Sequence, residues 1–122
     1  MVAKNLNKIN ISNKVVILEK GVFGGCENLN EITIPYGMIN IGDGAFEECK
    51  SLREVSIPDN VASIGDYAFW NCQSLNQITV WSNVTSIGYS AFDGCKKSYD
   101  KSIQRSYVKR YALENEIPFE EI

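Results

Sequence analysis

Residues 52–74 read LREVSIPDNVASIGDYAFWNCQS, and this string decides the fold because it recurs. Shifted by 23 residues it returns as LNEITIPYGMINIGDGAFEECKS at 29–51 and as LNQITVWSNVTSIGYSAFDGCKK at 75–97. The same register reaches back to LNKINISNKVVILEKGVFGGCEN at 6–28. Phe23, Phe46, Phe69 and Phe92 fall at that one interval, and so do Cys26, Cys49, Cys72 and Cys95. Four units of 23 therefore cover residues 6–97 without an insertion. A fixed period of this length marks a chain built from stacked, equivalent coils. The first unit is degenerate, with Glu19 where the others have Gly and Val22 where they have Ala, as befits a terminal coil.

Within a unit the chemistry is legible. In L-x-x-I-x-I, alternation puts Ile32 and Ile34 on one face and Thr33 on the other, which predicts a short half-buried strand. Pro35 or Pro58 ends it, because proline cannot donate to a ladder. The apolar pairs Met38/Ile41, Val61/Ile64 and Val84/Ile87 then bring the chain back to the core. Gly42, Gly65 and Gly88 read as left-handed corners, and A-F-x-x-C as one helical or 3₁₀ turn burying Ala, Phe and Cys. One unit cannot bury both sides of such a layer, so neighbours must stack into a right-handed solenoid with one short parallel sheet.

The unit resembles the leucine-rich repeat, specifically its BspA-like class with the pattern L-x-x-I-x-I-P-x-x-V-x-x-I-G-x-x-A-F-x-x-C. The tail from Tyr107 to Phe119, YVKRYALENEIPF, resembles the closing helix and I-P-F strand of such proteins. The resemblance implies an α/β solenoid: a leucine-rich-repeat superhelix with a short parallel sheet, 3₁₀ or short helical turns on the outer face, and a C-terminal capping helix and strand. It implies a single domain over 1–122, with repeats in 6–97 and the cap in 98–122. Trp81 departs from the pattern by replacing Pro, and Ser98 by replacing the Leu that would open a fifth unit.

Composition narrows the chemistry. The chain has 122 residues, 12 Lys+Arg against 15 Asp+Glu, four Cys and no His. Ile plus Val outnumber Leu by 23 to 6, which favours strands. A net charge of −3 gives no general attraction to nucleic acid or anionic lipid, so neither is an expected partner. No apolar run approaches the ~20 residues of a membrane helix, and Met1-Val2-Ala3-Lys4-Asn5 lacks the apolar core of a secretory signal. Without His the commonest general base and metal ligand are missing. Stacked coils would set successive cysteines about 5 Å apart in a line, which cannot enclose a zinc ion. A disulfide between neighbours is permitted by distance but awkward for parallel inward Cβ vectors, so buried thiols are the favoured reading. Asp43 and Asp66 read as turn acids and Glu47-Glu48 as solvated surface. No catalytic group, metal site or cofactor site is expected.

The outward side of the predicted strands is the candidate contact surface. Its equivalent positions hold Asn30, Arg53 and Asn76, then Glu31, Glu54 and Gln77, then Thr33, Ser56 and Thr79. Trp81 extends the last row as a candidate interface anchor, the plain alternative being packing against a neighbour or the cap. Trp70 breaks the outer turn in the same way. Lys101, Arg105 and Lys109 fall on one helical face, read either as a polyanion patch or as the solvated side of the cap. The leading expectation is a non-enzymatic protein-binding module, with a structural spacer or assembly domain as the alternative. What the resemblance implies further is a bacterial surface or secreted protein engaged in adhesion to a host or cell-surface protein.

Overall fold

A computed structural model describes residues 6–79 and 83–95. The capping helix and strand expected in 98–122, the basic face of Lys101, Arg105 and Lys109, and Trp81 lie outside the described residues.

Each coil contributes two strands, where the sequence pattern predicts one. The first set is β1 (Lys8–Asn10), β3 (Glu31–Thr33), β5 (Glu54–Ser56) and β7 (Gln77–Thr79). The second is β2 (Ile17–Leu18), β4 (Asn40–Ile41), β6 (Ser63–Ile64) and β8 (Ser86–Ile87). All pairs are parallel, and partners such as Ile9 and Ile32, or Ile41 and Ile64, are one repeat apart. The second set forms an unbroken four-stranded sheet, whereas the first splits into β1–β3 and β5–β7. β3 and β5 therefore lie side by side without a hydrogen-bonded ladder.

Identical side chains stack in columns through the core. The rings of Phe46 and Phe69 lie 5.1 Å apart and 12° from parallel, and those of Phe69 and Phe92 lie 5.4 Å apart and 6° from parallel. Leu29, Leu52 and Leu75 form a second fully buried column, and Met38, Val61 and Val84 a third. Each coil covers the apolar face of the next, so burial is shared between units.

The outer segment keeps the i→i+3 hydrogen bonds expected of a 3₁₀ turn but not its continuity, and no helix forms among the described residues. The N–H groups of Cys26, Cys49, Cys72 and Cys95 bond back to Phe carbonyls at 3.2–3.3 Å. Those of Phe23, Phe46 and Phe69 bond instead to Ala45, Ala68 and Ala91 of the following coil at 2.8–2.9 Å. A helix would consume every N–H internally; here alternate groups tie coil to coil. Left-handed residues reset the chain at Gly44 and Glu48, and at Tyr67 and Asn71 in the next coil.

The repeat glycines are not the left-handed corners that the sequence suggests. Gly42, Gly65 and Gly88 lie outside that region, and what they supply is a missing Cβ. A Cβ on Gly65 would press into the Asp43 backbone and side chain, and one on Gly88 into those of Asp66. The freed space holds a carboxylate ladder: the Asp66 N–H donates to Asp43 Oδ1, and the Tyr89 N–H to Asp66 Oδ1, each at 2.8 Å.

Candidate functional site: the strand face

The strand N–H and C=O groups are spent along the stack, so what a coil offers outward is its alternate side chains. Three rows run across β3, β5 and β7. The first holds Asn30, Arg53 and Asn76, all exposed. The second holds Glu31 and Glu54, also exposed, with Gln77 paired in register to Glu54. The third holds exposed Thr33 and Ser56 and half-buried Thr79.

Eight of these side chains line one open depression of about 800 Å³: Asn30, Glu31, Thr33, Arg53, Glu54, Ser56, Asn76 and Thr79. Its floor includes Ile32 and Val55. Val55 is 3% exposed and Ile32 half-buried. Lys8 Nζ stands 3.6 Å from Glu31 Oε1, so the second row begins in the first coil with a cation paired to its acid. Both side chains are well over half exposed, so this pair contributes at most ~1 kcal/mol and mainly sets local charge.

The depression continues toward the strand ends. On one side it meets a smaller hollow lined by Asn7, Asn28, Ser51 and Ser74 together with Asn30 and Arg53. On the other it meets a hollow bounded by Tyr36, Pro58 and Asp59. Tyr36 is 70% exposed and was not singled out by the repeat pattern. Its signal was available: it stands where the neighbouring units carry Asp59 and Ser82, as an aromatic replacing a small polar residue.

The profile of the BspA type leucine-rich repeat region (six copies) matches residues 2–118. The chain belongs to the BspA-type leucine-rich repeat family. It is similar to a leucine-rich repeat protein of Bacteroides ovatus, at 32% identity and a TM-score of 0.83, over 98% of this chain and 31% of that one. A leucine-rich repeat protein of T. pallidum is similar at 27% identity and a TM-score of 0.72, over 76% of this chain and 45% of that one. A leucine-rich cell surface protein of Faecalibacterium prausnitzii is similar at 25% identity and a TM-score of 0.71, over 92% of this chain and 35% of that one. The chain thus spans less than half the length of each of these structures. No curated protein matches it.

The cysteines of this BspA-type chain are free thiols, three of them buried and Cys95 half-buried. The last three donate to the Phe carbonyl of the preceding coil: Cys49 to Phe23 at 3.3 Å, Cys72 to Phe46 at 3.0 Å and Cys95 to Phe69 at 3.2 Å. Burial disfavours the thiolate and pushes Cys49 and Cys95 up to about 12, and Cys72 higher still. A reactive thiol needs the opposite environment, so these groups pack and donate. Among the described residues no three His, Cys, Asp or Glu side chains are grouped to hold a metal ion, and no helix is long and apolar enough to cross a membrane.

The opposite side of this BspA-type repeat array carries the outer turns, and there Trp70 is exposed beside Tyr67 and Tyr89. The Tyr67 ring meets Trp70 edge-to-face at 6.3 Å and Tyr89 at 5.7 Å. Trp70 thus packs on Tyr67 and keeps surface open to solvent.

Proposed function

We propose that the chain is a non-enzymatic recognition module that binds a protein partner through its strand face. The observation that carries this reading is the convergence of eight register-equivalent polar side chains on one open depression. A wide, shallow, hydrogen-bonding surface suits a folded or extended polypeptide better than a small metabolite, whose sites are enclosed and mostly apolar. Trp81 continues the third row in sequence register and belongs to the same proposed surface. The similar Faecalibacterium prausnitzii structure is of a cell surface protein, which supports an extracellular setting and an adhesive role toward a host or cell-surface protein.

The test is capture of matrix and epithelial surface proteins on the immobilised chain, followed by the double substitution Arg53→Glu and Glu54→Lys. The expected result is a loss of affinity of at least tenfold with an unchanged thermal midpoint, since both residues are exposed. Partners held equally well by the variant would place recognition elsewhere.

A second reading, as an assembly element, has its own observation. Leu6, Val16, Ile17 and Val22 of the first coil are each about 40–50% exposed, an apolar surface that suits stacking. Concentration-dependent association in sedimentation velocity, abolished by Ile17→Lys and Val22→Lys, supports it; a monomer at all concentrations refutes it.

A further inference from the structure

The strand face leaves unexplained the aromatic cluster on the opposite side. Each coil has two left-handed outer-turn positions, and the first of them is occupied by Gly21 (φ 65), Gly44 (φ 61), Tyr67 (φ 58) and Ser90 (φ 54). Tyrosine at such a position opposes its own backbone preference, and two sister coils use the residue without that penalty. Its ring is not needed by the core, since Tyr67, Trp70 and Tyr89 remain 40%, 36% and 71% exposed. The two edge-to-face contacts join the three rings into one continuous surface patch.

Charge decides what this patch suits. Inter-coil bonds from the Glu48 N–H to the Trp70 carbonyl and from the Asn71 N–H to the Asp93 carbonyl, both 2.7 Å, fix the register. Trp70 therefore sits in a column between Glu47 and Asp93, one coil spacing of ~4.8 Å away on either side. Asp66 adjoins Tyr67 and holds the Tyr89 N–H with Oδ1. The outer turns at 42–50, 65–73 and 88–96 carry five acids against two cations, Lys50 and Lys96, which hold the last position of their turns. Aromatic faces are themselves electronegative, so rings and carboxylates attract the same ligand. An anionic partner is repelled here, and a neutral sugar gains stacking but forgoes the charge.

We propose that this outer-turn patch is a second recognition site, selective for arginine- or lysine-bearing segments of a protein partner. Arginine is the preferred side chain, because a planar guanidinium lies flat on an indole while its edge meets a carboxylate. The site is independent of the strand face and on the other side of the coils.

The experiment uses the full chain with Trp81→Phe, which leaves Trp70 as its one tryptophan. A hexa-arginine peptide is expected to shift Trp70 fluorescence saturably, hexa-lysine to do so more weakly, and hexa-glutamate and maltohexaose not at all. By calorimetry, Trp70→Leu weakens hexa-arginine binding about fivefold with every charge retained. Tyr67→Gly restores the glycine of the sister coils, keeps the fold, and weakens binding by a similar factor. Unchanged hexa-arginine affinity in Trp70→Leu, or a maltohexaose response equal to that of hexa-arginine, overturns the proposal.

Discussion

Gly65→Ala separates two reasons for which a repeat can require glycine. If the position needed left-handed freedom, alanine would cost about 1–2 kcal/mol and leave the neighbouring coil untouched. The geometry predicts a different outcome. A Cβ on Gly65 would stand 2.6 Å from the Asp43 nitrogen and 2.8 Å from the Gly42 carbonyl carbon, both backbone atoms that no rotamer change can move. They are pinned by the bonds from the Gly65 N–H to Ile41 and from the Gly44 N–H to Asp66, each at 2.8 Å. Relief requires the two coils to part locally. Overpacking of this kind costs about 1–3 kcal/mol, and weakening two inter-coil bonds adds about 1 kcal/mol, so a loss near 3 kcal/mol is expected. Two other glycines calibrate the scale. Gly44 is left-handed and a Cβ there meets only the flexible end of Glu47, so Gly44→Ala loses about 1–2 kcal/mol. Gly37 is not left-handed and nothing lies within 4 Å of its Cβ position, so Gly37→Ala gains about 0.4–1 kcal/mol by restricting the unfolded chain. Urea unfolding followed by circular dichroism reads all three, with unchanged m-values as the condition for comparing them. Gly65→Ala no less stable than Gly44→Ala would refute close approach as the reason for the repeat glycine.

Further outcomes follow from the columns. Phe69→Ala, which empties a fully buried ring site between Phe46 and Phe92, is expected to lose about 3–5 kcal/mol, and Phe23→Ala at the half-buried end of the stack less. Asp43→Ala strands the Asp66 N–H and costs about 1 kcal/mol, whereas Asp43→Asn keeps an acceptor oxygen and most of the stability; thermal midpoints separate them. Stability is expected to be level with respect to the thiols below pH 9 and to fall between pH 9 and about 12. There the unfolded thiols ionise near 9.0 while the folded ones stay protonated. By pH 10 the loss is about 1.4 kcal/mol per thiol, and Cys49→Val should make the decline measurably shallower.

The period, the core columns and the thiol ladder were legible because stacking converts a 23-residue interval directly into contact. What lay outside that conversion was not. The second strand of each coil is two residues long, as in Asn40–Ile41, and only its neighbours' hydrogen bonds define it. No apolar alternation can announce so short an element. The glycine pattern was visible but its cause was not, since invariance at a position looks the same for a special φ and for a missing Cβ. The alternation between turn-internal and inter-coil N–H groups was likewise hidden, because A-F-x-x-C is compatible with both. The aromatic cluster escaped because its members do not share a column: Tyr67 and Tyr89 are 22 residues apart, one short of the repeat. On the strand face, by contrast, eight of the residues drawn from the sequence line the depression, and Trp81 is outside the described residues.

A solenoid of this kind separates what varies freely from what varies at a cost. Strand-face rows exchange Asn for Arg or Thr for Ser without touching the stack, since those side chains project away from it. Sequence there can follow any partner, and the face is correspondingly uninformative about which partner it follows. The outer turns are different. Each of their side chains sits on a backbone interlocked with two neighbours, and every fourth residue is left-handed. A tyrosine in place of glycine at position 67 carries a conformational penalty of about 1–2 kcal/mol. Its edge-to-face contacts with Trp70 and Tyr89 offset part of that, at about 0.5–1.5 kcal/mol each when fully formed and less at exposed positions. The balance is near zero, so stability alone gives no reason to keep three exposed rings there. What distinguishes the arrangement from the glycine of the sister coils is the surface it makes, and that surface is aromatic, rigid and ringed by carboxylates.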